Sequence, residues 1–440
     1  MPVKELKDLQ EKAVTESVTK LEKAEEKAEE KAEEMEEEQK EVNEKSAEYN
    51  KKKQNFIVRT TWTLVMVLGM FSILFLGPIW VIGLVIVLQI LTFKEIIALS
   101  SRPAREKELP MNRTLSWYFL LTSSYYLDGE SFIHHFKHFI FVDKFLSPLA
   151  TNHRFISYCL YVLGFVFFVA TLKPGYYKMQ FTQLCVTHMA LIIVVFQAHL
   201  IISNILTGLF WFLLPVGLVI INDIFAYICG IAFGRTQLIA ISPKKTVEGF
   251  VGAWGFTILS GFLLTRILGE YNFLVCPVED LSISVFSSTV CEHNPVFIPQ
   301  SYRLPPVLGD LISQDFIVLK PIYFHAIVLA TFASLIAPFG GFFASGVKRT
   351  FNIKDFGDTI PGHGGITDRM DCQFLMGSFS YLYYETFIST HRVTVGSVLQ
   401  MAVSNLSTAQ IIQLVNALQL FLHNTGVIDA ETYASLSETL

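Results

Sequence analysis

The run from Ser345 to Asp371, SGVKRTFNIKDFGDTIPGHGGITDRMD, sets charges and glycines between two apolar segments. Ser345, Lys348 and Arg349 fall at i, i+3 and i+4, so a hydroxyl and two cations share one helical face as the chain leaves an apolar stretch ending near Phe343. That combination suits an anion. Lys354 and Asp355 follow. Then come Pro361, Gly362, His363, Gly364 and Gly365, a turn whose glycines allow positive φ and bring backbone N–H groups close to a phosphate. Asp368, Arg369 and Asp371 end the run. The two aspartates share a helical face at a membrane boundary and offer the oxygen ligands that Mg²⁺ bound together with a substrate phosphate requires. A basic juxtamembrane loop with solvated aspartates accounts for each charge singly, but not for the ordered set.

A second group lies upstream. The stretch 211–233 is apolar except for Asn222 and Asp223 near its middle. A carboxylate at that depth is costly, so the pair is either a polar clasp between helices or, for Asp223, a metal ligand. After Arg235, Ser242 and Pro243 are expected to open a helix bearing Lys244, Lys245 and Glu248, with Gly249 and Gly252 permitting close helix packing. Cations at a helix start oppose the dipole but suit a bound polyphosphate.

The elements that must position these groups are helices. The chain has 440 residues, 52% of them hydrophobic and 17% charged, with mean hydropathy +0.44; a soluble domain carries about 25% charge. The fold class expected is an all-α polytopic membrane protein. Its net charge of −5 reflects an acidic N-terminal tail, while the loops carry Lys and Arg clusters, and nothing supports nucleic-acid binding. Apolar segments occur at about 56–76, 79–98, 114–128, 155–172, 179–203, 205–233, 249–269, 322–344 and 373–389, giving about nine transmembrane helices, with 114–128 short for a span. The first begins near Phe56, so insertion is expected to use an internal anchor rather than a cleaved leader.

Basic residues flank the first hairpin on both sides, Lys51 to Lys53 and Arg59 before it and Arg102, Arg105, Lys107 and Arg113 after it, which places both borders in the cytosol. Alternation then puts 270–321 in the lumen and both 234–248 and 345–371 in the cytosol. Cys276 and Cys291 would share that lumenal loop, where a disulfide is expected to hold a segment with few other constraints.

Three regions result: a charged helical tail over 1–55, a membrane catalytic domain over 56–390, and a C-terminal amphipathic segment over 391–440. In the tail, Val14, Leu21, Ala28, Met35 and Val42 recur one heptad apart. A homodimer through a coiled coil is therefore open, although Glu25 and Gln39 make a poor seam. In the last region Ser407 and Gln410 form a capping box, with Asn424 and Gly426 closing the helix.

The run Ser345–Asp371 resembles the signature of the CDP-diacylglycerol synthases, or phosphatidate cytidylyltransferases, of the form S-x-x-K-R-x-x-x-x-K-D-x-x-x-x-x-P-x-H-G-G-x-x-D-R-x-D. NDIFAYICGIAFGRTQLIAISPKKTVEG is similar to that family's second conserved region. The likeness runs from roughly Trp117 to Tyr384, is nearest the eukaryotic branch, and leaves out the first 55 residues.

The resemblance implies transfer of the cytidylyl group of CTP to phosphatidic acid, a membrane lipid, with Mg²⁺ as cofactor, in the endoplasmic reticulum membrane and with the site facing the cytosol. On that reading Lys244, Lys245, Lys348, Arg349, Asp355 and His363 form the catalytic set. Ser242, Ser345, Lys354, Gly364, Gly365 and Arg369 bind the phosphates, and Asp223, Asp368 and Asp371 hold metal. Asp358 occupies a position the signature leaves free. Bacterial members commonly carry an acid four residues before the signature serine, where this chain has Gly341. An ion-coupled transporter or channel built around Asp223, and a CTP-dependent lipid kinase, are the alternatives.

Overall fold

The computed structural model of the chain describes residues 49–429 apart from 51–52, 55, 107–110, 141–145, 244, 279–280, 288, 304–314, 390–397, 400–401 and 404–405. Lys244 and the heptad-spaced tail therefore lie outside the described residues. Two compact units divide the chain, Met1–Tyr383 and Tyr384–Leu440.

The apolar runs form helices in chain order. These are α1 (Phe56–Leu76), α2 (Pro78–Glu106), α3 (Met111–Ile140), α4 (Leu146–Thr151), α5 (His153–Ala170), α6 (Tyr177–Thr207), α7 (Phe210–Phe233) and α8 (Val247–Leu268). After the single turn α9 (Asn272–Val275) come α10 (Ile322–Leu335), α11 (Pro338–Thr350), α12 (Thr367–Phe387) and α13 (Thr408–Asn424). Among the described residues one antiparallel strand pair interrupts them, β1 (Gln300–Arg303) with β2 (Phe316–Leu319), in a register that pairs Gln300 with Leu319 and Arg303 with Phe316.

Among the described residues, seven stretches are long and apolar enough to cross a membrane: 56–76, 78–99, 153–170, 177–207, 210–233, 247–268 and 322–350. The remaining two of the nine expected segments fall in α3 and α12. Both helices are more polar than a span, carrying Ser116, Thr122 and Asp128 in one and Asp368, Asp371, Ser378 and Ser380 in the other. The all-α polytopic class stands, while the count of nine is not reached among the described residues.

Breaks fall where the sequence supplies a reason. Gly77, at φ +117, turns α1 into α2, and Gly208, at φ +140, separates α6 from α7; both values favour glycine. Pro338 opens α11 and divides the span expected over 322–344, because its ring cannot donate to the preceding turn. The new helix then runs on to Thr350 and carries Ser345, Lys348 and Arg349 on it.

The helix expected from Ser242 starts instead at Val247. Thr246 caps it, its Oγ1 accepting the Gly249 N–H at 3.2 Å. Residues before the cap are held in a loop by Leu238 N–H to Lys245 O and Val247 N–H to Thr236 O, both 2.9 Å, so they cannot turn helical. The expected close approach of α7 and α8 is present. A Cβ on Gly249 would stand 2.8 Å from the Ala226 carbonyl oxygen, and one on Gly252 2.9 Å from Cys229 Sγ.

The Cys276–Cys291 disulfide is formed, with Cα atoms 5.9 Å apart. Its loop is better held than the sequence implied. Phe297 packs its ring against Phe210 and Trp211, and Val278 N–H donates to Leu206 O. Around the site, Phe93, Ile97, Phe119 and Val195 bury the contact of α2, α3 and α6. Val85, Val194, Ile201 and Phe374 join α2, α6 and α12. In the second unit, Ser407 and Gln410 make the expected capping box at the start of α13, and Gly426 follows its end at φ +74.

Candidate active site

α11 carries Lys348 to the first turn of α12, where its Nζ lies 2.6 Å from Asp368 Oδ1; the two side chains are only 19% and 8% exposed. The second oxygen of Asp368 accepts N–H groups from Phe356 at 3.0 Å and Gly365 at 3.3 Å. In this structure Asp368 thus ties together α11, the intervening loop and α12.

The Pro361–Gly365 turn closes on itself. Ile360 and Gly364 exchange N–H to O bonds of 3.0 and 3.1 Å, with Gly362 and Gly364 at φ +76 and +83 as glycine permits. The N–H of Gly364 is therefore directed at Ile360 and that of Gly365 at Asp368. The phosphate cradle expected of these two donors is engaged within the loop, because a turn this tight needs its own N–H groups to close.

His363 is anchored on three sides. Its Nε2 is 3.1 Å from Thr63 Oγ1 of α1, its carbonyl accepts from Arg369 Nη2 at 2.9 Å, and its N–H donates to Ile360 O. Asp355 lies beside the same turn, its carboxyl carbon 3.2 Å from where a Gly364 Cβ would stand. Ser345 donates to the Gly341 carbonyl at 2.8 Å within its own helix, leaving its lone pairs as acceptors. Arg349, Lys354 and Asp358 are exposed.

Asp371, one turn after Asp368, packs against the start of α11. A Cβ on Gly340 would stand 2.4 Å from the Asp371 carbonyl oxygen, and one on Gly341 3.4 Å from Asp371 Oδ2. The position where bacterial members carry an acid thus faces the Asp371 carboxylate directly.

From the other side comes the second sequence group. Lys245 Nζ sits 3.8 Å from Asp223 Oδ1, and Asn222, Asp223, Lys245 and Thr246 line one hollow with Pro338 and Phe342 of α11. Asp223 feels the charges of Lys245 and Arg369, and Asp371 feels those of Asp223 and Lys348. The two motif regions therefore converge on the pair Asp223 and Asp371. Asn222 is buried, and its Oδ1 has no hydrogen-bond partner among the described residues. Ser242 is half-buried in the turn before α8.

Two features escaped the sequence reading. Glu95 of α2 is buried and takes hydrogen bonds from Thr359, Ile366 and Thr367; its one available signal was a lone carboxylate inside the apolar run 79–98. The other is an apolar cleft of about 360 Å³ between α2, α6, α11 and α12. Ile96, Leu99, Met189, Ile193, Phe343 and Val347 line it, and Thr367 and Asp371 lie on its wall. No sequence period marks such a cleft, since it arises only where four helices leave a gap.

Oxygen donors and cations thus adjoin an apolar cleft. Residues 57–387 match the family described as the cytidylyltransferase family. This chain belongs to that family. It is similar to the phosphatidate cytidylyltransferase of Saccharomyces cerevisiae, 58% identical over 89% of this chain and 86% of that protein. It is also similar to phosphatidate cytidylyltransferase 1 of Arabidopsis thaliana, 44% identical over 81% of this chain and 85% of that protein. The Homo sapiens phosphatidate cytidylyltransferase 1 is 46% identical over 76% of this chain and 73% of its own length. The family resemblance expected from the signature is thereby established, and with it a membrane nucleotidyltransferase.

Proposed function

We propose that the chain transfers the cytidylyl group of CTP to phosphatidic acid, giving pyrophosphate and CDP-diacylglycerol for phospholipid synthesis, such as that of phosphatidylinositol and cardiolipin. The observation that carries this is the apolar cleft with Asp371 on its wall. A lipid acyl chain fits there while its phosphate stays among the charged groups. An ion pathway would need polar walls at that point, which makes the transporter reading the weaker one.

The reaction joins two anions. An ionised phosphatidate oxygen attacks the α-phosphorus of CTP, and the bond from that phosphorus to the β-phosphate oxygen breaks as pyrophosphate leaves. Because the nucleophile is already ionised at neutral pH, little general-base help is needed, and positioning and charge carry the rate. Lys245 and Arg369 bring positive charge to the Asp223 side. Arg349 and Lys354, both exposed, can reach a triphosphate from solvent. The charge of Lys348 also acts on Asp371, and Asp355 and His363 border the turn.

The residues present fit Mg²⁺. Asp223, Asp371 and the unpartnered Oδ1 of Asn222 are hard oxygen donors on neighbouring elements, which is the donor set this ion takes. Bound there, it supplies positive charge to the triphosphate and the departing pyrophosphate. Asp368 already has Lys348 as its counter-charge, and in this reading it holds the loop rather than the ion.

We assign the catalytic unit to 56–390, in the endoplasmic reticulum membrane with the site at the cytosolic face, where the Lys and Arg clusters border the first hairpin. Purified protein in detergent, given phosphatidate, Mg²⁺ and CTP labelled at either the α or the γ phosphate, tests the reading. Cytidylyl transfer moves the α label into lipid and releases the γ label as pyrophosphate. Movement of the γ label into lipid would make the chain a lipid kinase, and no movement of either would refute both.

A further inference from the structure

We propose that Glu95 is a positioning residue for cytidylyl transfer, its buried carboxylate setting the loop 356–367 and the start of α12 from outside. This rests on the reading of the site given above. Glu95 lies in the apolar helix α2 and is 7% exposed. A carboxylate in such surroundings is strongly unfavourable unless its oxygens are fully partnered. It forms no ion pair with a described cation, and its partners all come from one short segment far away in sequence.

Oε1 accepts from Thr359 Oγ1 at 2.5 Å and from Ile366 N–H at 3.1 Å. Oε2 accepts from Thr367 N–H at 2.9 Å and from Thr367 Oγ1 at 2.7 Å. Thr367 is the first residue of α12, so its N–H is one of those a helix cannot satisfy internally, and an anion there also suits the helix dipole. Glu95 is in effect a cap supplied by another helix.

The loop is threaded between two carboxylates. A Cβ on Gly357 would stand 2.8 Å from Glu95 Oε1. One on Gly365 would stand 2.8 Å from Glu95 Oε2 and 3.0 Å from Asp368 Oδ2. A Cβ at either place would displace the Glu95 carboxylate, and at Gly365 it would also meet the Gly357 backbone nitrogen at 2.9 Å; the loop is held from the α2 side by Glu95 and from the α12 side by Asp368. Thr367 leads directly into Asp368, and Asp371 follows one turn later. The hydrogen bonds of Glu95 thus fix the helix start that aims both aspartates, although Glu95 itself is shut off behind the loop and touches no substrate.

Glu95→Gln tests this, because the amide keeps the size but turns a donor toward groups that are themselves donors. The full chain is assayed in detergent for kcat, for KM and for the Mg²⁺ concentration at half-maximal rate. Hydrogen exchange is followed in parallel without added metal. The expected result is a kcat lower by tenfold or more, a higher Mg²⁺ requirement, and a KM for phosphatidate within twofold. Faster exchange should be confined to residues 356–370.

Thr359→Val and Thr367→Val each remove one hydroxyl donor and leave the backbone donors in place. They should lower kcat severalfold in the wild-type background and have little further effect on Glu95→Gln. Glu95→Gln with kcat within twofold of wild type would overturn the proposal. So would faster exchange spread equally through α5 and α7, which marks a general loss of stability, and so would fully additive threonine effects. A wild-type protein that transfers no cytidylyl group would instead remove the reading of the site, while the exchange pattern would still report whether Glu95 holds the loop.

Discussion

Replacing Asp371 with Asn removes one negative charge and little else. One carboxylate oxygen accepts the N–H of Cys372 at 2.7 Å, a bond the amide oxygen can keep. The other oxygen faces the open side of Gly341, 3.4 Å from where a Cβ would stand, so an amide group fits without displacing a neighbour. The fold should therefore survive. A unit charge about 4 Å from a cation at an effective dielectric of about 20 is worth about 4 kcal/mol. At 1.36 kcal/mol per decade, that is close to a thousandfold. We expect kcat to fall between about a hundredfold and a thousandfold. The assay is pyrophosphate release at saturating CTP and phosphatidate with Mg²⁺ titrated, beside an unfolding midpoint for the same preparation. Asp358→Asn is the control, since this exposed carboxylate should change turnover by less than about twofold. A kcat for Asp371→Asn within threefold of wild type at saturating Mg²⁺, in folded protein, would refute the assignment of Asp371.

Three other outcomes are expected. Lys348→Met and Asp368→Asn should each destabilise by about 3 kcal/mol, since each leaves a poorly solvated partner behind. The double variant should be well short of additive, and unfolding measurements giving additivity within about 0.5 kcal/mol would mean the pair does not act as one. Gly340→Ala should unfold or inactivate the protein because its Cβ would lie 2.4 Å from the Asp371 carbonyl oxygen, whereas Gly341→Ala, with nothing nearer than 3.3 Å, should retain most activity. Equal behaviour of these two alanine variants would show that α11 and α12 do not pack as described. Opening the Cys276–Cys291 bridge with paired serines should lower stability by about 3 kcal/mol, as expected for a loop of this length, and leave kcat unchanged. A matching fall in kcat, measured well below the unfolding midpoint, would link that loop to catalysis.

The sequence by itself determined the class of the molecule and its family, and it picked out the residues proposed as reactive groups. Apolar runs near the length of a bilayer span specify helices, because no other structure satisfies backbone polar groups there within one segment. Breaks such as Gly77 are local and therefore legible. The ordered set from Ser345 to Asp371 also marked the family, since a run of residue types in that order is not a product of composition alone. Local signals misled where tertiary contacts compete with them. Ser242 and Pro243 look like a helix start, but Leu238 and Thr236 hold that stretch as a loop, and the helix waits for Thr246. Only the tertiary structure gave the two carboxylates different surroundings. Asp368 and Asp371 are alike in sequence, yet α11 brings Lys348 and the loop after it brings two N–H groups onto the first, while the second lies beside Gly341. Glu95 meets Thr367 across a separation of 272 residues. No local pattern encodes that contact, because it depends on how α2 packs beside the loop, and the free energy of burying a carboxylate is fixed by whichever donors the fold brings to it.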